Sequence, residues 1–178
     1  MEDNLVGKAR SFAILGITLL IAALTSACGS SADKDAGIPV PNGGFENGTM
    51  EPWTAFQSVQ AALASNPVHG GKFSLAESAA KGSVFQDVKG LAPGVGYTLS
   101  AWVSGSPEAN ATGQIGVFDA GVPSASFSDQ IKPTGSWQLL KYEFKLSAAS
   151  QGVARIHLVR NDGNGTIFWD DVQIVRAQ

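Results

Sequence analysis

The sequence contains little of what most enzymes and nucleic-acid-binding proteins use. It has one cysteine, so no disulfide can form within the chain. Its two histidines, His69 and His157, offer few ligands for a zinc site. Charged residues make up 15% of the 178 residues, and the net charge of −3 comes without any basic cluster. Because nucleic acids are bound through clustered lysine and arginine side chains, nucleic acid is not an expected partner.

The chain also lacks the common sequence signatures of catalysis. It contains no Gly-x-Ser-x-Gly nucleophile motif and no phosphate-binding loop. Glycosidases need two carboxyl groups at a set separation. No such pair stands out here, because most of the acidic residues lie in turn-rich segments. We therefore expect a protein that is not an enzyme.

The single cysteine, Cys28, directly follows an uncharged and largely apolar run over residues 11–27. Two basic residues precede that run, as in the first part of an export signal. The string from Leu24 to Cys28 resembles the lipobox of bacterial lipoproteins, in which the signal is removed before a cysteine that carries lipid. The resemblance implies a signal peptide over residues 1–27. It also implies an exported protein, anchored through Cys28 to the bacterial cell membrane or outer membrane.

Two alternatives stay open for this segment. Ser26 and Ala27 also suit the cleavage site of an ordinary secretory signal peptide. An uncleaved run of this length is at the short end of what spans a bilayer. Residues 28–37 are mostly small and polar, and they predict a flexible tether between the lipid and a folded domain.

From residue 38 onward, short apolar stretches alternate with turn signals rich in glycine, asparagine and proline. In Tyr97–Val103 the two faces alternate residue by residue, with Leu99 and Ala101 on the apolar side, which predicts a half-buried β-strand. The predicted strands are 56–63, 73–76, 83–88, 97–103, 114–118, 137–146, 154–159 and 166–175. No stretch holds a helical period, so the pattern predicts an all-β fold of the sandwich type.

An ordered series of short motifs runs through residues 38–177. In chain order these are 42–46, Pro52-Trp53, 69–75, 84–88, 91–94, 97–103, Trp137 ahead of Phe144, and 168–172. The series resembles the carbohydrate-binding modules of families 4, 9 and 22 and their galactose-binding-like relatives. The resemblance implies a jelly-roll β-sandwich of two antiparallel sheets, formed by a domain over residues 38–178.

The resemblance also implies a structural calcium ion, which members of the family commonly hold where the first and last strands meet. Glu46 and Asp170 match the carboxylate ligands of that site. Backbone carbonyls around Gly70 and Lys72 match the remaining ligands. Hard oxygen ligands of this kind suit Ca²⁺.

The alternation in the last predicted strand is compatible with a cation. It places Asp170 on the same face as Phe168, Val172 and Ile174. A carboxylate that points with apolar residues needs a cation or hydrogen-bond donors. The open alternative is that Asp170 caps a turn while Glu46 is solvated.

Sugar-binding sites combine an aromatic ring, which stacks on sugar C–H groups, with planar polar side chains that bond hydroxyl groups. We therefore expect ligand-binding residues on the strand faces that point away from the core. The candidates are Trp102, Gln114, Phe118, Arg155, His157 and Gln86. The direction of Gln86 is open, because Val84 and Val88 share its parity, and Trp102 could instead pack across strands. The other tryptophans, Trp53, Trp137 and Trp169, are predicted to pack within the fold.

Two functions follow from this interpretation. The first is non-catalytic binding of carbohydrate at the bacterial envelope by a lipid-anchored monomer, with an accessory role to glycoside hydrolases as one use. The second is a structural or protein-interaction lipoprotein built on the same sandwich, since one fold hosts many functions. An exposed Trp102 among glutamine and arginine side chains favours sugar, whereas a face covered by loops or apolar residues favours protein.

Overall fold

The structure is a computed structural model that describes residues 37–120 and 125–178. The predicted signal segment, Cys28 and the predicted tether as far as residue 36 lie outside the described residues. Within the described ranges the backbone forms eight β-strands. They are β1 (Thr54–Ala64), β2 (Ser74–Lys89), β3 (Gly96–Gly105), β4 (Gly113–Asp119), β5 (Ala125–Phe127), β6 (Gln138–Lys145), β7 (Val153–Arg160) and β8 (Ile167–Arg176). In this part of the chain no helix is long and apolar enough to cross a membrane.

The strands form an antiparallel ladder in the order β5-β4-β7-β2-β8-β3-β6, with β1 beside β2. The ladder folds into two layers because β2 takes part in both. Leu75–Glu77 pairs with β8, whereas Gly82–Lys89 pairs with β7. We call β6, β3, β8 and the start of β2 the β3 sheet. The β7 sheet consists of β5, β4, β7, the end of β2 and the start of β1. The predicted all-β sandwich of antiparallel sheets is confirmed.

The corner of β2 explains why the sequence predicts two short strands where the structure has one. Ala79 lies there at a positive φ of 67°, in an exposed stretch of small residues and one lysine without alternation. Gly82 follows, and a β-carbon at this position would clash with the Phe56 carbonyl and the Val59 side chain. The strand thus turns from one sheet into the other where the apolar pattern is interrupted.

The core lies between the two sheets and follows the predicted alternation on most strands. In β3, Tyr97, Leu99, Ala101 and Val103 are fully buried. Ile115 and Val117 on β4, and Ile156 and Leu158 on β7, face them from the other sheet. Full burial of each large aliphatic side chain contributes about 1.5–3 kcal/mol to folding. As predicted, Trp53 and Trp169 are buried in this core, while Trp137 is half-buried outside it.

Strand β8 departs from the predicted alternation because it contains a bulge. Ser100 pairs with Gln173 and Trp102 pairs with Asp170, so two β8 residues lie opposite Ala101. One of them, Asp171, has a positive φ of 46°. An extra residue in one strand resets which side chains face inward. The expectation that Phe168 and Asp170 share the face of Val172 and Ile174 is therefore wrong.

Before the bulge, Ile167 and Trp169 point into the core, and after it Val172 and Ile174 do. Asp170 points away from the core, yet it is fully buried, because the loop that precedes β2 covers it.

The core also contains polar groups at one end. Glu77 is fully buried, and its Oε2 accepts a hydrogen bond of 2.8 Å from Trp169 Nε1. Arg160, 1% exposed, donates to the carbonyls of Asn161, Gly163 and Gly165. Burial raises the pKa of Glu77 to about 8, although the Trp169 hydrogen bond opposes that shift. Glu77 is therefore largely protonated at neutral pH.

This burial predicts a pH dependence of folding stability. The pKa of Glu77 is higher in the folded protein than the ordinary value of 4.5, so its contribution to stability declines as pH rises from about 4.5 to 8. The slope is at most roughly 1.4 kcal/mol per pH unit. Thermal unfolding should show the wild-type midpoint decreasing between pH 6.5 and 8, and Glu77→Gln should remove most of that decrease.

The surface substitution Glu143→Gln is the matched control and should retain the wild-type slope. Equal slopes for the wild type and Glu77→Gln would contradict the assignment to Glu77.

Candidate functional site

Four predicted ligand-binding residues come together on the outer face of the β7 sheet. Gln114 and Phe118 project from β4, and Arg155 and His157 project from the neighbouring strand β7. The register places Phe118 opposite Arg155 and Gln114 opposite Val159. Residues opposite each other in an antiparallel pair point to the same side of the sheet. The sequence thus predicted both the strands and the outward direction of these four side chains.

Aromatic rings run across this face from one side of the sheet to the other. The Phe118 ring centroid lies 4.7 Å from that of His157 and 5.8 Å from that of Phe127 on β5. On the other side, the His157 centroid is 5.4 Å from that of Phe85, which is 6.3 Å from that of Phe56. Phe56, Phe118 and Phe127 are 51%, 37% and 40% exposed, so much of their ring surface faces solvent.

These rings border an open groove of about 330 Å³. Its described lining residues are Phe56, Gln57, Lys81, Gly82, Ser83, Gln114, Phe118, Phe127, His157, Val159 and Asn161. Gly116 makes the aromatic border possible, because a β-carbon there would clash with the Phe127 ring. Among the described lining residues, Lys81 alone carries a formal charge at neutral pH. The groove therefore combines apolar ring surface with amide, hydroxyl and ammonium groups.

His157 lies between two of the rings and is 7% exposed. Its Nδ1 lies 2.9 Å from Ser83 Oγ on the neighbouring strand. Burial lowers the pKa of His157 to about 4, and the nearby positive charge of Arg155 adds to that effect. The imidazole is thus neutral at physiological pH. His157 therefore forms part of a largely uncharged floor of the groove.

Arg155 is held at the side of the aromatic face. Its Nε and Nη2 donate to the two carboxylate oxygens of Asp87, at 2.7 and 2.9 Å. Its guanidinium lies 4.5 Å from the Phe85 ring centroid, in a cation–π arrangement. The hydrogen bonds from Arg155 lower the pKa of Asp87, so the pair remains ionised. Arg155 thus orders Phe85, with its charge balanced by Asp87.

Gln86 does not belong to this face, so its assignment as a ligand-binding residue is wrong. It is 2% exposed and pairs with Ile156 on the core side of the sheet. Its Nε2 donates a hydrogen bond of 2.9 Å to the carbonyl of Pro41. Gln86, Val84 and Val88 are alternate residues of one strand, so all three side chains point to the same, inward face.

Trp102 points outward, as predicted, but from the β3 sheet on the opposite side of the sandwich. The sequence places both Trp102 and Phe118 among the candidate ligand-binding residues, but the structure puts them on opposite sheets, so they cannot form one site. Alternation distinguishes inward from outward positions but does not show which sheet a strand joins. Trp102 is half-buried, and His69 stacks on its indole with ring centroids 4.0 Å apart and an angle of 18° between the planes.

The carboxylates expected to bind calcium both hold the loop before β2. Glu46 Oε1 accepts N–H bonds from Lys72 and Phe73, both 2.8 Å long. Asp170 Oδ2 accepts N–H bonds from His69 and Gly70, at 2.9 and 3.1 Å. The bonds to Phe73 and Lys72 lower the pKa of Glu46, whereas burial raises the pKa of Asp170.

This arrangement fits a calcium ion in part. Two carboxylates converge on one loop, and a β-carbon at Gly71 would clash with the Glu46 carboxyl group. The described residues contain no group of three His, Cys, Asp or Glu side chains placed to hold a metal. Further ligands would have to be carbonyl oxygens, such as those of Gly70 and Lys72. Asp170 also acts as a cap for the turn, the alternative that the sequence left open.

Several residues of the groove were not predicted as site residues. Phe56 lies in a predicted strand, but the direction of its side chain depends on the corner where β1 and β2 leave one sheet for the other. Phe127 belongs to a strand of three residues, which is too short to show a period. Ser83 and Lys81 line the groove only because β2 turns at this point. The sequence carries no local signal for these four contacts.

The comparisons with known proteins identify the class of this domain. A family model described as a carbohydrate binding domain (CBM_4_9) matches residues 40–163. The chain therefore belongs to this family of carbohydrate-binding domains. No curated protein matches the chain in sequence.

Solved structures show the same fold at low sequence identity. The CBM22-1 xylan-binding domain of Paenibacillus barcinonensis Xyn10C is 18% identical, with a TM-score of 0.63, over 76% of this chain and 92% of that one. TmCBM61, solved with β-1,4-galactotriose, is 21% identical, with a TM-score of 0.60, over 80% and 99%. The C-terminal family 22 module of Clostridium thermocellum Xyn10B is 16% identical, with a TM-score of 0.60, over 78% and 98%.

Proposed function

We propose that this domain binds carbohydrate without modifying it, and that the groove of the β7 sheet is the binding site. The observation that carries the proposal is the set of three partly exposed phenyl rings that border an open groove with polar groups between them. Sugars present C–H groups on their ring faces and hydroxyl groups at their edges. Aromatic faces and planar polar side chains complement those two surfaces.

The polar groups of the groove are suited to hydroxyl groups. The amides of Gln114 and Gln57 each offer donors and an acceptor, and Lys81 adds donors. Because these side chains project from strands and from the β2 corner, the sheet holds them in fixed positions. Membership of the carbohydrate-binding family supports the same ligand class.

The groove gives no support to hydrolysis. Glycosidases place two carboxyl groups across the scissile bond, and no described lining residue is Asp or Glu. The nearby Asp87 is bound to Arg155 through both carboxylate oxygens. We therefore propose a binding module, which on an envelope would keep the protein, or an enzyme associated with it, close to a glycan.

We also propose that Cys28 carries lipid and attaches the domain to the bacterial membrane. The support is the sequence alone: an uncharged run, small residues before the cysteine, and a polar segment after it. The chain has no other cysteine, so this thiol is the only one available for lipidation.

We further propose a structural calcium ion at Glu46 and Asp170. The support is that both carboxylates meet the same loop before β2 and that carbonyl oxygens lie in that loop. The ion would be coordinated by the buried Asp170 carboxylate and by oxygen atoms of the loop. It would thereby stabilise the junction of the loop with β8.

Replacing the central ring of the groove should weaken binding of sugar. Phe118→Leu removes the aromatic face but keeps apolar volume, and we expect about tenfold weaker binding. Phe118→Tyr keeps the ring and should bind nearly as well as the wild type. Titration calorimetry of the full chain in detergent, with soluble xylan, xylohexaose and β-1,4-galactotriose, measures both variants. Equal affinities for the two variants would overturn the assignment of the groove as the binding site. No binding to any member of a wider glycan panel would argue for the protein-interaction alternative.

Lipidation is tested by expression in a bacterial host supplied with radiolabelled palmitate. The wild-type chain should be labelled and sediment with membranes, because the lipid is attached through Cys28. Cys28→Ser should lose the label, while Ser30→Ala should keep it. If the wild-type chain is unlabelled but stays in membranes, the apolar run is an uncleaved membrane anchor. If the wild-type chain is unlabelled and soluble, the run is an ordinary signal peptide.

Calcium should raise the thermal unfolding midpoint of the full chain, compared with the chain in a chelator. At a concentration about one hundred times its dissociation constant, a bound ion adds about 2.7 kcal/mol to stability. Glu46→Gln should abolish most of that difference, and the surface control Glu51→Gln should preserve it. Identical wild-type midpoints in both solutions would show that backbone N–H groups alone hold the carboxylates.

A further inference from the structure

The outer face of the β3 sheet carries a second and larger concavity, of about 600 Å³. Its floor is the central strand β3, where the small side chains of Thr98 and Ser100 point outward. Longer side chains of the flanking strands rise on both sides, because the register aligns Ser100 with Lys141 of β6 and with Gln173 of β8. We call this concavity the β3 trough. Its shape follows from small residues in the middle strand and large ones on its neighbours.

An aromatic ring in a fixed orientation stands at one end of the trough. Trp102 lines the trough, and His69 covers part of its indole by stacking at 4.0 Å. His69 is held in turn, because its Nδ1 lies 2.6 Å from Asp171 Oδ2. Trp137 packs edge-on against His69, with centroids 5.7 Å apart. The tryptophan is thus pre-oriented, so little side-chain entropy is lost when a ligand contacts it.

The β8 bulge has a direct effect on this end of the trough. The extra residue places Asp171 at a positive φ and directs its carboxylate onto His69. Bulges next to binding and active sites often redirect a side chain in this way. The bulge therefore links the orientation of Trp102 to the conformation of β8.

The charges of the β3 trough favour a neutral ligand. Lys141 and Arg176 are balanced by Glu143 and Asp171 among its lining residues. The aliphatic side chains in the lining are few, chiefly Leu139 and Val175. A phosphate or a charged peptide would find no net field of the opposite sign. A protein partner that binds by apolar burial would find little surface to cover.

Hydroxyl, amide, ammonium and carboxylate groups in the lining can each bond a sugar hydroxyl group. Together with one oriented indole, they make the same combination of a stacking surface and polar bonding groups that the β7 groove has. We propose that the β3 trough is a second carbohydrate-binding site, which takes a neutral oligosaccharide with Trp102 as its stacking residue. It lies on the sheet opposite to the β7 groove.

Two sites on opposite sheets would let one domain contact two glycan chains, or two segments of one chain. Binding of the second chain then becomes a local event, and avidity increases without a new contact within either site. The proposal is independent of the β7 groove, since no residue is shared between the two linings.

The test is nuclear magnetic resonance of the ¹⁵N-labelled full chain in detergent, titrated with xylohexaose, cellohexaose, mannohexaose and β-1,4-galactotriose. The protein carries Phe118→Leu, so that the β7 groove is weakened. At up to about 10 mM sugar, at least one probe should still shift the Trp102 indole N–H signal and the amide signals of β3 and β8.

Two pairs of variants separate the sites. Trp102→Leu should weaken the response about tenfold, whereas Trp102→Phe, which keeps a ring, should weaken it much less. Ser100→Gln fills the floor without altering Trp102 and should abolish the response, while the distant exposed substitution Gln60→Ala should not. Unfolding curves of each variant establish that it remains folded.

Shifts confined to residues of the β7 sheet, or no shift with any of the four probes, would overturn the second site. Shifts that persist unchanged in Ser100→Gln would also overturn it. If the otherwise wild-type chain responds at the β7 groove and not at the trough, the proposed function stands and this inference fails. If the trough alone responds, the inference stands and the groove assignment fails.

Discussion

Strand β2 is the element on which both faces of this sandwich depend, because it is hydrogen-bonded in both sheets. Its first part pairs with β8 and its last part pairs with β7, while β1 follows it around the corner. Leu75 and Val84, on either side of the corner, are both fully buried in one core. Backbone N–H and C=O groups that leave one ladder must find partners in another. The continuous pairing of β2 meets that need and fixes the two sheets against each other.

The last part of β2, which pairs with β7, contributes both to the core and to the floor of the β7 groove. Val84 and Val88 point inward, and Ser83, Phe85 and Asp87 point outward to His157 and Arg155. Because these outward contacts depend on a buried strand, the rings and polar groups of the groove stay in register with the core. A binding surface carried on strands can be held more precisely than one carried on loops.

The two outer faces differ in kind although both come from alternating strands. On the β7 sheet, Gly116 and the short strand β5 leave space that the Phe127 ring fills, so the face is aromatic. On the β3 sheet, small residues on the central strand leave a polar trough, with Trp102 at its end. Family membership and the shared jelly-roll fold are compatible with either face as a sugar-binding surface, since fold alone does not define a site.

Predictions from the sequence succeeded where a single strand decides the outcome. Tyr97–Val103 shows its buried and outward faces without reference to any neighbour, and Gln114, Phe118, Arg155 and His157 point outward as expected. They failed where a second strand or a local irregularity decides. Gln86 is an exception to this rule, because the alternation within its own strand, where Val84 and Val88 are buried, already places it on the inward face. Asp170 faces outward because a bulge at Asp171 interrupts the alternation of β8.

The sequence by itself therefore determined the all-β class, the antiparallel sandwich and the direction of most side chains, because alternation is a local property of an extended chain. It also carried the family motifs that point to carbohydrate. Only the tertiary structure decided that Trp102 and Phe118 lie on opposite sheets and that Phe56 and Phe127 join the groove. Those facts depend on which strands pair and on where β2 bends. The local sequence of a strand does not show which distant strand it pairs with.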